Sequence, residues 1–254
     1  MKKISNGWII AFSAAVLVAT TGFGGCTTMG RYEKYDNADL YQNGNFTYAA
    51  ADIKEVEIDW VLGSVEIVQS DAAELSVSEE SIKDVDKQLH YYLEGTTLKI
   101  KFCKSGLRTN IEEKYKNLRV EIPSSVYLEI DSVSAPITIG EATLSGLSVE
   151  TVSGDLIAEK INTPAIEIET VSGELSIGLT EKSNVEIETV SGDMVISLLN
   201  NRGATIVFDE VSGKFLTERE YGKAGKKRYD ILGEAQLPIC TIDIESVSGD
   251  LTVK

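Results

Sequence analysis

From about residue 126 to the C-terminus, apolar and polar side chains alternate with a period of two, and the alternation restarts at near-regular intervals. Aligned on the Val of a recurring V-S-G, the anchors are Val133 (in "VSAP"), Val152, Val171, Val190, Val211 and Val247, spaced by 19, 19, 19, 21 and 36 residues. Five residues before each anchor stand Leu128, Leu147, Ile166, Val185, Ile206 and Ile242; three before stand Ile130, Val149, Ile168, Ile187, Phe208 and Ile244. Two before is an acidic column: Asp131, Glu150, Glu169, Glu188, Asp209 and Glu245. Such alternation predicts strands with apolar side chains inward and carboxylates outward.

After each anchor, Ser-Gly makes a corner, with a glycine that tolerates positive φ at Gly154, Gly173, Gly192, Gly213 and Gly249. Alternation then resumes at Ile137, Leu156, Leu175, Met194, Phe215 and Leu251. Each unit is therefore strand, corner, strand and return. An antiparallel meander or sandwich satisfies the pattern. So does a single-stranded parallel β-solenoid, a β-helix-like coil of ~19-residue repeats. Column identity favours the solenoid, because in-register stacking sets each residue on its equivalent about 4.8 Å away.

Residues 53–125 share this texture with a looser period. "KEVEIDW", "GSVEIVQ", "AELSVSE" and "NLRVEIP" read as short strands, and "QLHYYLEGTTLKIKF" as a hairpin around Glu94-Gly95-Thr96. No linker marks a boundary, so 53–254 reads as one all-β domain with an irregular N-terminal part.

"NLRVEIPSSVYLEIDSVSAPITI" followed by repeated "ETVSGDL" resembles the bacterial putative-adhesin family of unknown function, whose repeats carry this V-S-G-D pattern. The resemblance covers most of 53–254. It implies an all-β, solenoid-like domain on an envelope or secreted protein, and it brings no catalytic residues with it.

The first residues read as a targeting segment. Lys2 and Lys3 precede an apolar run from Trp8 to Phe23, then "GGC". "FGGC" resembles a lipobox, with Phe23 where Leu is usual, so 1–25 is expected to be a lipoprotein signal peptide and Cys26 the lipidated residue. Acyl chains, at about 0.8 kcal/mol per buried CH₂, would hold the chain on the extracytoplasmic face of a cell membrane without spanning it. Residues 26–52 are polar and aperiodic and read as a tether.

The formal charge is −16, and −18 once Lys2 and Lys3 are removed. That field excludes binding to nucleic acid or to an anionic bilayer through overall charge. Besides Cys26 there are Cys103 and Cys240. Parity places Cys240 on the core face and Cys103 away from it, which argues against a disulfide between them.

The chain has one histidine, His90, and lacks a G-x-S-x-G elbow, a phosphate-binding glycine loop and a Cys/His cluster of metal-ligand spacing. The expectation is therefore no catalytic residue, no cofactor and no metal site of fixed spacing. Two constellations remain. Glu150, Glu169 and Glu188, with Glu167 and Glu186 beside them, form a carboxylate row that suits Ca²⁺ or a cationic ligand, or else a solvated face. The long return before Val247 carries Arg219, Tyr221, Lys223, Lys226, Lys227, Arg228 and Tyr229, a contact loop for a surface glycan or envelope protein, or else a solvated loop. The preferred reading is a non-enzymatic, lipid-anchored envelope protein that acts as an adhesin or a surface binding rod. The alternatives are a carbohydrate-active β-helix enzyme, which would need an isolated acid/base pair, and an accessory protein of envelope stress or assembly. The last unit, "TIDIESVSGDLTVK", is expected to stand at the open end of the coil, shielded by the loop at 217–238 or by end-to-end self-association.

Overall fold

A computed structural model describes residues 32–80, 82–108, 116–234 and 239–254. The chain is all-β, built from one twelve-stranded and one ten-stranded sheet. The regular body is a stack of eight rungs, each one strand from either sheet. In chain order they are rung 1, Glu55–Trp60 and Ser64–Gln69; rung 2, Thr97–Lys101 and Asn117–Ile122; rung 3, Tyr127–Ser132 and Ile137–Thr143; and rung 4, Gly146–Thr151 and Leu156–Asn162. Rung 5 is Ala165–Ser172 and Leu175–Leu179; rung 6, Asn184–Ser191 and Met194–Leu198; rung 7, Ala204–Ser212 and Phe215–Thr217; and rung 8, Cys240–Ser248 and Leu251–Val253. All neighbouring rungs pair in parallel, with Ile168 on Val149 and Ile187, as in-register columns require. The solenoid, not the meander, is the fold.

The apolar columns line the space between the sheets, and every member of the two columns before the corner, from Leu128 to Ile244, is at most 2% exposed. Inward parity continues one residue further than the apolar pattern suggests. Ser132, Thr151, Thr170, Thr189 and Ser246 are also buried, and they turn the chain into the corner.

The V-S-G-D motif is explained by the corner. In the corners of rungs 4, 5, 6 and 8 the Ser donates to the anchor carbonyl of the rung below: Ser153 to Val133 at 3.2 Å, Ser172 to Val152 at 3.3 Å, Ser191 to Val171 at 3.4 Å, Ser248 to Val190 at 3.4 Å. The Asp carboxylate accepts the equivalent backbone N–H of the next rung, Asp155 from Glu174 at 2.8 Å and Asp193 from Asp250 at 2.9 Å. Glycine is required by close approach more than by φ. A Cβ on Gly192 would sit 2.1 Å from the Gly173 carbonyl oxygen, and one on Gly154, whose φ is not positive, 2.3 Å from that of Ala135.

Rungs do not stack in chain order. The spatial order is 2-1-3-4-5-6-8-7. Rung 8 lies between rungs 6 and 7, so the expectation that the last unit stands at the open end is incorrect. The terminal rung is rung 7, whose pattern departs from the columns: half-buried Glu210 replaces the corner Ser or Thr, and Phe215 replaces an aliphatic. "NLRVEIP" likewise lies at the far N-terminal end, against rung 1, not beside rung 3.

Antiparallel strands close the ends. At the N-terminal end, Gln42–Asn43 and His90–Glu94 extend the larger sheet, while Phe46–Ala49 and Glu74–Glu79 extend the smaller. The hairpin around Gly95 forms as expected. The described part of the expected tether is thus not a tether. Tyr32 is 2% exposed, its hydroxyl accepts the Phe102 N–H at 3.3 Å, and its ring packs 6.2 Å from the Phe102 ring. Phe46–Ala49 pairs with Glu74–Glu79. The aromatic side chains of this segment gain enough burial to fold onto the stack despite the polar sequence around them. At the C-terminal end the hairpin Tyr221–Lys223 and Arg228–Ile231 adds to rung 7 in the larger sheet, so the long loop does cap the coil, but over rung 7.

Cys103 is 1% exposed, not outward-facing, because strand alternation lapses after Lys101. Cys240 is in the core as expected, and no disulfide joins it to Cys103. Cys26 and residues 1–31 lie outside the described residues.

Candidate binding face

Register builds the candidate site. On the outer face of the larger sheet, Asp59, Asp131, Glu150, Glu169, Glu188, Glu245 and Asp209 are consecutive partners across seven rungs. Two residues upstream, Glu57 and Glu129, then Ser148, then Glu167, Glu186 and Asp243 form a second column. Twelve carboxylates therefore share one face, with neighbours in a column about 4.8 Å apart. Coulomb repulsion between such neighbours is roughly 0.8 kcal/mol in water before salt screening, which the exposed part of the face tolerates; the buried Asp59 instead has a lysine partner.

Lysines close both ends of the first column. Lys101 of rung 2 pairs with Asp59, and Lys227 of the C-terminal hairpin pairs with Asp209. Lys99 closes the second column on Glu57 at 3.6 Å, with Glu94 at 2.9 Å. The columns read from the sequence contain Asp131, Glu245 and Asp209. They miss Asp59, Glu57 and the closing lysines, because the rung order that joins them is not the chain order; Glu129 and Asp243 stand four before Val133 and Val247, in a column that Ser148 and Val207 interrupt.

Burial, then the neighbouring carboxylate Glu129, pushes the Asp131 carboxyl up to about 6, against the opposing pull of Lys101. Glu129, Glu169, Glu188 and Asp243 are raised for the same two reasons, burial first and stacked carboxylates second. Lys101 is lowered by burial, which outweighs the pull of Glu57 and Asp131. Among the described residues no three His, Cys, Asp or Glu converge as a metal cage. The reason is geometric: side chains of one column run parallel and outward, whereas a cage needs oxygens that point at a common centre.

The expected contact loop is largely occupied with holding the cap. Tyr229 stacks on Phe215 with ring centroids 3.8 Å apart and 8° between planes, and the Lys223 ammonium lies 5.7 Å from the Tyr229 centroid. Arg219 donates to the Leu232 carbonyl at 2.9 Å, Lys227 also reaches the Glu210 carbonyl at 2.8 Å, and Arg228 meets Asp230 at 3.7 Å. Tyr221 and Lys226 remain exposed. His90 is buried in its strand, with Nδ1 3.0 Å from the Gln88 carbonyl oxygen, and burial lowers its pKa. Among the described residues no helix is long and apolar enough to cross a membrane.

Residues 53–254, which hold the whole stack of parallel rungs, match a known family model, that of Toastrack DUF4097. The chain belongs to the Toastrack DUF4097 family. Several solved structures are similar to this Toastrack chain. One is a putative cell adhesion protein from Clostridium sporogenes, 11% identical, covering 84% of this chain and 99% of its own, with a TM-score of 0.46. A putative adhesin from Bacteroides fragilis is 11% identical, covers 83% and 97%, and has a TM-score of 0.33. A putative adhesin from Parabacteroides distasonis is 10% identical, covers 84% and 97%, and has a TM-score of 0.36. Comparison with curated proteins finds no match.

Proposed function

We propose that this Toastrack chain is a non-enzymatic binding module of the cell envelope, held at the membrane surface by lipid on Cys26, whose working surface is the two-column carboxylate face. The observation that carries this reading is the unbroken row of seven acids across rungs 1 and 3 to 8. The middle of this row, Glu150, Glu169, Glu188 and Glu245, is half-buried to exposed, and such stacked carboxylates suit a partner with repeated positive charge, such as an amine-bearing polysaccharide or a basic protein surface, through many weak contacts. It does not suit hydrolysis, which needs one carboxyl pair set apart in a cleft.

Binding of the full-length chain to an amine-bearing glucosamine polymer, against the same polymer N-acetylated, tests the reading. Binding only to the amine form, weakened at least about 10-fold by Glu150→Gln, Glu169→Gln and Glu188→Gln together, is expected. Equal retention on both polymers, or turnover of either, would overturn it. Cys26→Ala is expected to move the protein from the membrane to the soluble fraction, and unchanged detergent partitioning would rule out the anchor.

A further inference from the structure

The two sheets have four outer edges, two at each end of the coil. Among the described residues, three of these edges carry antiparallel cap strands and the fourth is bare. Phe215–Thr217 is the outermost strand of the ten-stranded sheet, and its partner is Leu251–Val253, in parallel.

The orientation of this strand follows from its bonds. The Lys214 carbonyl accepts from the Leu251 N–H at 2.9 Å, and the Lys214 N–H donates to Asp250 Oδ1 at 2.9 Å, so Lys214 turns its backbone toward rung 8. Backbone groups alternate sides along a strand. Leu216 therefore also turns toward rung 8, and Phe215 and Thr217 present N–H and C=O to the open side. Side chains alternate the other way. Phe215 stacks on Tyr229, and Thr217 Oγ1 donates to the Val253 carbonyl at 2.8 Å, both toward the core. Leu216 is 44% exposed on the outer face, and Lys214 and Glu218 flank it, both exposed.

The segment Lys214-Phe215-Leu216-Thr217-Glu218 is complementary to itself when reversed about Leu216. Phe215 then meets Thr217 of the second copy, and Thr217 meets its Phe215, as hydrogen-bonded pairs that use all four free backbone groups of each copy. Leu216 meets its own equivalent at a non-hydrogen-bonded position, where side chains approach closest. Lys214 meets Glu218 of the second copy, and Glu218 meets its Lys214, on the same outer face. A slip of one residue would put each side chain on the wrong face and lose both charge pairs.

We propose that this edge is an interface between two copies of the chain, which join their ten-stranded sheets by two-fold antiparallel pairing of Phe215–Thr217. A two-fold contact uses one patch on both subunits and closes after two, so it gives a dimer with both C-terminal ends at the centre and both N-terminal ends outermost. The inference rests on the bare edge and its self-complementary charges, and it is independent of what the carboxylate face binds.

Charge exchange tests it. Sedimentation equilibrium of the full-length chain in detergent is expected to show a concentration-dependent dimer. Lys214→Glu and Glu218→Lys are each expected to weaken it at least about 10-fold, because each sets like charges opposite one another twice. An equal mixture of the two variants is expected to dimerise again, since every facing pair becomes opposite in sign. In a chain carrying Cys26→Ser, Leu216→Cys is expected to cross-link under mild oxidation, as facing Cα atoms about 4.5 Å apart lie within disulfide reach. A wild-type chain that is monomeric at all concentrations would overturn the proposal. So would a dimer indifferent to both charge reversals, failure of the mixture to restore pairing, or equal cross-linking in the Cys26→Ser parent that keeps Leu216.

Discussion

Lys101 and Lys227 stand at opposite ends of one row of seven carboxylates, although 126 residues separate them in the chain. Their environments differ. Lys101 and Asp59 have side chains 15% and 9% exposed, whereas Lys227 and Asp209 are 39% and 51% exposed. Lys101→Met leaves a buried carboxylate without its partner and is expected to cost about 3 kcal/mol. Lys227→Met breaks a solvent-screened pair and is expected to cost under about 1 kcal/mol. Urea unfolding of both variants measures the difference, and equal losses would contradict it.

The carboxylate face is expected to contribute more stability as pH falls from about 7 to 5, against an opposing contribution from His90, whose pKa burial lowers. Asp131 is raised to about 6, and Glu129, Glu169, Glu188 and Asp243 are raised in the same direction. A carboxyl with a folded pKa above its unfolded value binds more protons in the folded state. Its contribution is fully present below the unfolded pKa and is lost as pH rises through the folded one. Measured as the difference between the two proteins, the wild-type urea midpoint is expected to gain on that of Asp131→Asn as pH falls across this range. The same pH trend in wild type and Asp131→Asn would contradict the assignment.

Ile168 and its neighbour Glu169 face opposite sides of one strand. Ile168 is 1% exposed in an apolar column, so Ile168→Asp buries an unpaired carboxylate and is expected to cost about 4 kcal/mol or unfold the chain. Glu169 lies between Glu150 and Glu188. Glu169→Lys replaces two repulsions by attractions and is expected to change stability by less than about 1 kcal/mol. Thermal melting of the pair decides, and equal losses would invert the parity.

Corner glycines are expected to be intolerant even of alanine. Gly192 combines a φ of +139° with a Cβ position 2.1 Å from the Gly173 oxygen, so Gly192→Ala is expected to cost about 3 kcal/mol. Gly225, in the hairpin, has its nearest neighbour at 3.9 Å, and Gly225→Ala is expected to stay within about 0.5 kcal/mol. Chemical denaturation checks both, and a mild Gly192→Ala would show that the corners have slack.

The content of each rung was legible in the sequence. Period-two alternation sorts Ile168 from Glu169, and the 19-residue spacing sets Glu150, Glu169 and Glu188 in one row, because both depend only on local strand geometry and on contact with an equivalent neighbour. The V-S-G-D corner was visible as a repeat for the same reason, although its basis in stacked carbonyls required the backbone. The order of the rungs was decided by tertiary structure alone. Any rung with apolar inward columns fits on any other, so the pattern is blind to the placement of rung 8 between rungs 6 and 7, or of rung 2 beyond rung 1. What separates the arrangements is which rung suits an end. Phe215 has Tyr229 to stack on, and Lys99 and Lys101 neutralise carboxylates that would otherwise end the row. These are contacts between segments distant in the chain. From them follow the length of the acidic face and, among the described residues, the three capped edges and the one left bare.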